Sequence, residues 1–154
     1  MFSSESQCWK IGDFHLTRSG DGETLIHSSL CAGTESYRAP ELIESAHFSN
    51  KVDIFGMGCI VFELLKQRKA FYSSYAVLEA SRGRKYPDLG RKPSFVVSET
   101  TFDFLKRLIR QMLSFDPTVR PTAKDVYEEL KRWRLEGPPN EFERSSSKTE
   151  IADS

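Results

Sequence analysis

The sequence predicts a mostly α-helical fold, and three stretches carry that expectation. Lys51 to Leu65 is apolar on almost every face, with only Asp53 and Glu63 charged after Lys51. Such a stretch is expected to be a helix buried on most sides, the central post of the domain. Ser98 to Leu113 repeats Phe102, Leu105, Leu108, Ile109, Met112 and Leu113 at helical spacing, behind a serine suited to cap the helix. Thr122-Ala123-Lys124-Asp125 opens a last helix, with Asp125 placed to complete a capping box.

The remaining elements follow from local chemistry. Residues 1–7 are polar and serine-rich and read as a frayed start. Cys8–Ile11 and Leu16–Arg18 are short strand candidates, the fold's two-strand remnant at the N-terminus. Ser19-Gly20-Asp21-Gly22 has the composition of a turn. The stretch from there to Gly33 is aperiodic and reads as a loop. Pro40 at a first helical position fits one or two turns through Glu44. Ser73–Ser81 forms a short helix with Ala76, Val77 and Ala80 on one side. Arg82–Val97 holds two prolines and two glycines and reads as loop. The last helix has Val126, Leu130 and Trp133 as its inner stripe and stops at Gly137-Pro138-Pro139. Residues 136–154 form a Ser-rich tail with five acidic and two basic residues, expected to be disordered. Residues 8–135 make one domain.

Composition excludes several classes of function. Lys+Arg 22 balances Asp+Glu 22, so no net field favours nucleic acid or an anionic membrane. No apolar run approaches the ~18 residues that a membrane span requires. Cys8, Cys31 and Cys59 are scattered without a C-x-x-C, which points to a reduced, intracellular setting, cytoplasmic or nuclear. His15, His27 and His47 lack metal-ligand spacing with one another and with the cysteines. Lys66-Arg68-Lys69 and Arg82-Arg84-Lys85 read as solvated faces.

Three motifs in fixed order carry the chemistry. Lys10-Ile11-Gly12-Asp13-Phe14-His15-Leu16 comes first. Gly33-Thr34-Glu35-Ser36-Tyr37-Arg38-Ala39-Pro40-Glu41 follows, matching G-T-x-x-Y-x-A-P-E. Asp53-Ile54-Phe55-Gly56-Met57-Gly58-Cys59 comes third. Together they resemble the C-terminal lobe of a eukaryotic protein kinase domain of the serine/threonine type, over about residues 8–133. The resemblance implies a kinase-like helical lobe whose ancestral reaction transfers the γ-phosphoryl of ATP to a protein serine or threonine.

Residue by residue, it implies a D-F-G-like element in which Asp13 binds the Mg²⁺ that bridges the ATP phosphates. His15 stands where that element usually has glycine, which puts its normal conformational switching in doubt. Gly33, Thr34 and Tyr37 belong to the loop that meets the protein substrate. Glu41 is expected to pair with a buried Arg120, since the planar guanidinium grips a carboxylate at two points. Asp53 is the residue that in kinases reaches back to anchor the catalytic loop. Thr24, Ser28 and Ser29 lie where kinases are phosphorylated for activation.

The sequence contains no G-x-G-x-x-G, no strand lysine of the V-A-I-K type and no H-R-D. The catalytic base and the second metal ligand are expected upstream of Met1. The expected partners are therefore a protein substrate or partner protein. Mg²⁺ and ATP belong to the complete family domain, and neither is expected to bind tightly here. Two functions remain open: a partial kinase domain inactive by itself, or a non-catalytic, pseudokinase-like binding module or decayed gene product.

Overall fold

The computed structural model describes residues 2–17, 26–27, 33–45, 47–96 and 98–137. The mostly helical expectation is met by five α-helices among these residues: α1 (Pro40–Glu44), α2 (Lys51–Lys66), α3 (Ser74–Arg82), α4 (Glu99–Met112) and α5 (Ala123–Glu136). The strands are two residues each. β1 (Phe2–Ser3) pairs antiparallel with β2 (Cys8–Trp9), and β3 (Ile26–His27) pairs antiparallel with β4 (His47–Phe48).

Helix ends follow the predicted chemistry. Ser98 accepts the Thr101 N–H at 3.1 Å and caps α4. Thr122 and Asp125 form the full capping box of α5, the side chain of each accepting the other's backbone N–H. Ser73 caps α3 by accepting the Ala76 N–H at 3.2 Å. Gln67 ends α2 in the left-handed region at φ 54° and donates its N–H to the Glu63 carbonyl.

Helix α2 is the post on which two hydrophobic clusters meet. On one side Phe55, Cys59, Phe62 and Leu65 pack with Phe71, Val77, Leu89, Phe102, Ile109 and Leu113. On the other, Ile54 packs with Phe104, Leu108, Met112 and Val126. Gly58 permits the close approach of α4. A Cβ there would lie 3.0 Å from the Met112 Cβ and 3.1 Å from a Leu113 methyl. Helix α5 is held against α4 by Val126 and by the stacked rings of Phe104 and Trp133, 4.3 Å apart.

Four sequence expectations are corrected. The start of the chain is not frayed: Phe2–Ser3 pairs with Cys8–Trp9 across a polar turn in which Gln7 takes φ 49°. Of the second strand expected at Leu16–Arg18, Leu16 instead belongs to a single 3₁₀ turn at Phe14–Leu16, and Arg18 lies outside the described residues. Leu130 is exposed rather than inward, and the covered side of α5 is Val126, Glu129 and Trp133. Helix α2 is not covered all round. Met57, Ile60 and Leu64, spaced along one face, are 44%, 52% and 64% exposed. β3, within a stretch whose composition reads as loop, is a fifth difference, since a two-residue strand carries no period for the sequence to show.

The open face of α2 makes a sharp contrast testable in denaturant melts. Ile60→Gln and Leu64→Gln should each shift the unfolding free energy by less than about 0.5 kcal/mol. Phe62→Ala, two positions from Ile60 and fully buried, should cost about 3–5 kcal/mol. Equal losses at both positions would show that the exposed face is covered in solution.

Candidate functional site

The segment Gly33–Glu41 leads into α1 through Pro40, and its far end is fixed by one buried cation. The Arg120 side chain is fully buried. Its Nη1 donates to Glu41 Oε1 at 2.6 Å and its Nη2 to Oε2 at 3.1 Å, a two-point grip. Nη1 also donates to the Lys51 carbonyl at 2.7 Å. Nε and Nη2 both donate to the Ser114 carbonyl, at 3.0 and 2.8 Å. All five guanidinium N–H groups thus have an acceptor. The guanidinium carbon lies 5.1 Å over the Phe55 ring. The Lys51 ammonium in turn donates to the Arg120 carbonyl.

The start of the segment is shaped by Gly33 at φ 85°, a backbone conformation that a Cβ would strain although nothing fills the space around it. Thr34 leads a 3₁₀ turn at Glu35–Tyr37 and accepts the Tyr37 N–H through its carbonyl. The Tyr37 hydroxyl donates to Glu63 Oε2 at 2.6 Å. The hydrogen bond to that carboxylate, with burial adding to it, holds the Tyr37 pKa above its ordinary value. Lys69 sits 5.8 Å from the Tyr37 ring centre. The segment is therefore tied to α2 at its middle and to Arg120 at its end.

Asp13 and His15 lie apart from this well-packed region. Asp13 adopts φ 68° and its side chain is 78% exposed. His15 Nδ1 stands 2.5 Å from Asp13 Oδ1. Asp53 occupies the first turn of α2, and its carboxyl has no hydrogen bond or ion pair among the described residues. Asp53 is exposed, but protein packed nearby partly screens its carboxyl from water, which raises its pKa. The structure thus gathers Gly33, Thr34, Tyr37, Glu41 and Arg120 into one continuous unit; among the described residues it brings only His15 to Asp13 and no hydrogen-bonding group to Asp53. Thr24, Ser28 and Ser29 lie outside the described residues, as do Pro138 to Ser154.

A protein kinase domain model matches residues 1–130. The chain belongs to the eukaryotic serine/threonine protein kinase superfamily. It is 36% identical over 126 residues to serine/threonine-protein kinase plk-1 of Caenorhabditis elegans, covering 82% of this chain and 18% of that protein. It is 33% identical over 123 residues to probable serine/threonine-protein kinase nek3 of Dictyostelium discoideum, covering 77% and 10%. Nek5 of Mus musculus is 31% identical over 130 residues, covering 82% and 19%. The chain spans between 10% and 19% of the length of these relatives.

Kinases of this superfamily use Mg²⁺ and ATP, and the donor set here can be judged against that need. Mg²⁺ requires near-octahedral oxygen ligands and gives up its waters reluctantly. Asp13 offers one carboxylate, already engaged by His15. Among the described residues no group of three or more His, Cys, Asp or Glu side chains could hold a metal ion. Asp13 would supply one ligand, with phosphate oxygens and waters providing the rest of the shell. No helix among them is long and apolar enough to cross a membrane.

Four residues act here in ways the sequence did not indicate. Glu63 had a visible signal, as the one charge deep in the apolar run of α2. His15 was marked as a departure from the family pattern, but not as the partner of Asp13. The Lys51 and Ser114 carbonyls that hold Arg120 had no signal, since backbone acceptors leave no trace in residue type.

Two outcomes are expected from the clasp and from the buried titrating groups. Arg120→Leu should cost about 3–5 kcal/mol, because it strands the Glu41 carboxylate. Arg120→Leu with Glu41→Leu should lose less than the sum of the single changes, as a double-mutant cycle in urea would show. Burial pushes the Cys59 thiol up to about 12 from 9.0, and Tyr37 is raised from 10.0. Both bind their protons more tightly in the folded state. Their stabilisation is therefore complete below about pH 9 and is lost as pH rises toward 12. The Cys59 contribution should fall by about 1.4 kcal/mol per pH unit across that window. Cys59→Ala should flatten the alkaline limb in melts at stepped pH.

Proposed function

We propose that this chain is the substrate-side part of a serine/threonine kinase domain, with Gly33, Thr34 and Tyr37 meeting a protein substrate and the nucleotide-side machinery absent from these 154 residues. The observation that carries the reading is the contrast between the two ends of the site. The Gly33–Glu41 segment is fixed by Arg120 and Glu63. Asp13 is exposed and held by a histidine. In this reading Asp13 is a family metal ligand that cannot complete a site alone, and Asp53 is an anchor whose catalytic loop is not in this sequence.

Phosphoryl transfer depends on positioning and on charge stabilisation. The sequence carries neither the phosphate-covering loop nor the lysine nor the H-R-D base. The polypeptide is therefore inactive by itself and binds Mg-ATP weakly at best. A second reading, a non-catalytic binding module, draws support from the open face of α2, where Met57, Ile60 and Leu64 are exposed.

The test is a phosphate-transfer assay on a generic Ser/Thr peptide, alongside a thermal-shift titration with Mg-ATP. No turnover and no shift in melting temperature are expected. Turnover that disappears in Asp13→Ala would overturn the proposal. Activity gained by a chain extended upstream through an H-R-D segment would favour the partial enzyme over the binding module.

A further inference from the structure

Away from the Gly33–Glu41 segment, one side of α4 forms the wall of an open groove of about 610 Å³. That volume is within the ordinary range for ligand sites. Lys106, Arg107, Arg110 and Gln111 line it on the α4 side, with Tyr86 and Val119 among its other lining residues. Tyr86 is held in place by stacking on Phe115, 4.6 Å between ring centres.

The charges in the groove are unequally answered. Arg107 Nη2 pairs with Glu129 Oε1 at 2.5 Å. Asp103 is the one acidic lining residue. Lys106 stands 5.3 Å from the Phe102 ring centre. Neither Lys106 nor Arg110 has an anionic partner among the described residues. The unanswered positive charge is thus a pair at i and i+4 on one helix face, with Cβ atoms about 5–6 Å apart.

We infer that this groove docks an acidic segment of a partner protein, extended, with the pattern acid–apolar–acid. In an extended chain alternate side chains point the same way and rise about 6.6–6.8 Å per pair. Two carboxylates so placed face Lys106 and Arg110. The apolar side chain between them points the other way, toward Tyr86 and Val119. The occupant is a protein segment because the cations form a spaced pair along a helix flank, at a separation that alternate side chains of an extended chain approach. The inference is independent of catalysis and concerns only binding.

The experiment uses the full chain and a fluorescent peptide centred on glutamate–leucine–glutamate, followed by anisotropy. A glutamine–leucine–glutamine peptide is the control. Binding of the first should weaken at least about tenfold in Lys106→Glu with Arg110→Glu, and should fall with added salt. A lysine–leucine–lysine peptide should bind that doubly substituted chain, which shows that the altered protein is folded. Lys106→Gln with Arg110→Gln gives a milder variant for the same comparison. Equal binding of the glutamate and glutamine peptides would overturn the inference, as would affinity unchanged by both double substitutions. The sequence itself holds Glu141-Phe142-Glu143. If the peptide binds only after Glu141→Gln with Glu143→Gln, the groove is filled in cis and the assignment to a partner fails.

Discussion

The guanidinium of Arg120 is the constraint on which the rest of the structure depends. A charge removed from water is tolerated only when every donor is answered. Here the answers come from three separate parts of the chain: Glu41 in α1, the carbonyl of Lys51 at the start of α2, and the carbonyl of Ser114 just after α4. No two of these lie close in sequence. A single side chain therefore fixes where α1 meets the central post and where α4 ends against it. The geometry also explains the residue type. Lysine has three donors on a flexible stem and could not reproduce the planar fork.

The clasp has a consequence for the segment that precedes Glu41. With its C-terminal end fixed by Arg120 and its middle by the Tyr37–Glu63 hydrogen bond, little backbone freedom is left between them. Ser36 is buried at the same turn, and its hydroxyl reaches toward the Tyr72 carbonyl at 3.4 Å. None of these contacts involves residues near Asp13. The shape of the proposed substrate loop is thus maintained by the helical core alone. Order at this loop does not depend on the conformation at Asp13.

What the sequence made legible divides along a physical line. Helices α2, α4 and α5 were readable because apolar period, a capping serine and a capping box are local signals. Motif membership was readable because Gly33 and Pro40 answer to backbone demands that few other residues meet. Coverage was not readable. An apolar face on α2 states that something can pack there, and the sequence does not say which part of it is met; Met57, Ile60 and Leu64 stay exposed while Phe55 and Phe62 are buried. The inward set of α5 was misread at Leu130 for a related reason. Glu129 takes the covered position by pairing with Arg107 across the helix interface, and a pattern that counts only apolar residues passes over it.

The same line separates the two aspartates from the clasp. Glu41 and Arg120 supply each other's needs inside the described residues, so their arrangement is complete. Asp13 and Asp53 are acidic groups whose physics is unfinished here. One is turned outward at a positive φ beside a histidine, and the other is exposed on the first turn of α2 and only partly screened from water. Asp53 is solvent-exposed, and the partial desolvation that raises its pKa leaves the carboxyl in contact with water. It lies on the same face of α2 as the exposed Met57, Ile60 and Leu64. An apolar stripe alone would accept any greasy surface. A stripe that begins with a carboxyl would cost more to cover, because burying that acid without a hydrogen-bond donor is unfavourable.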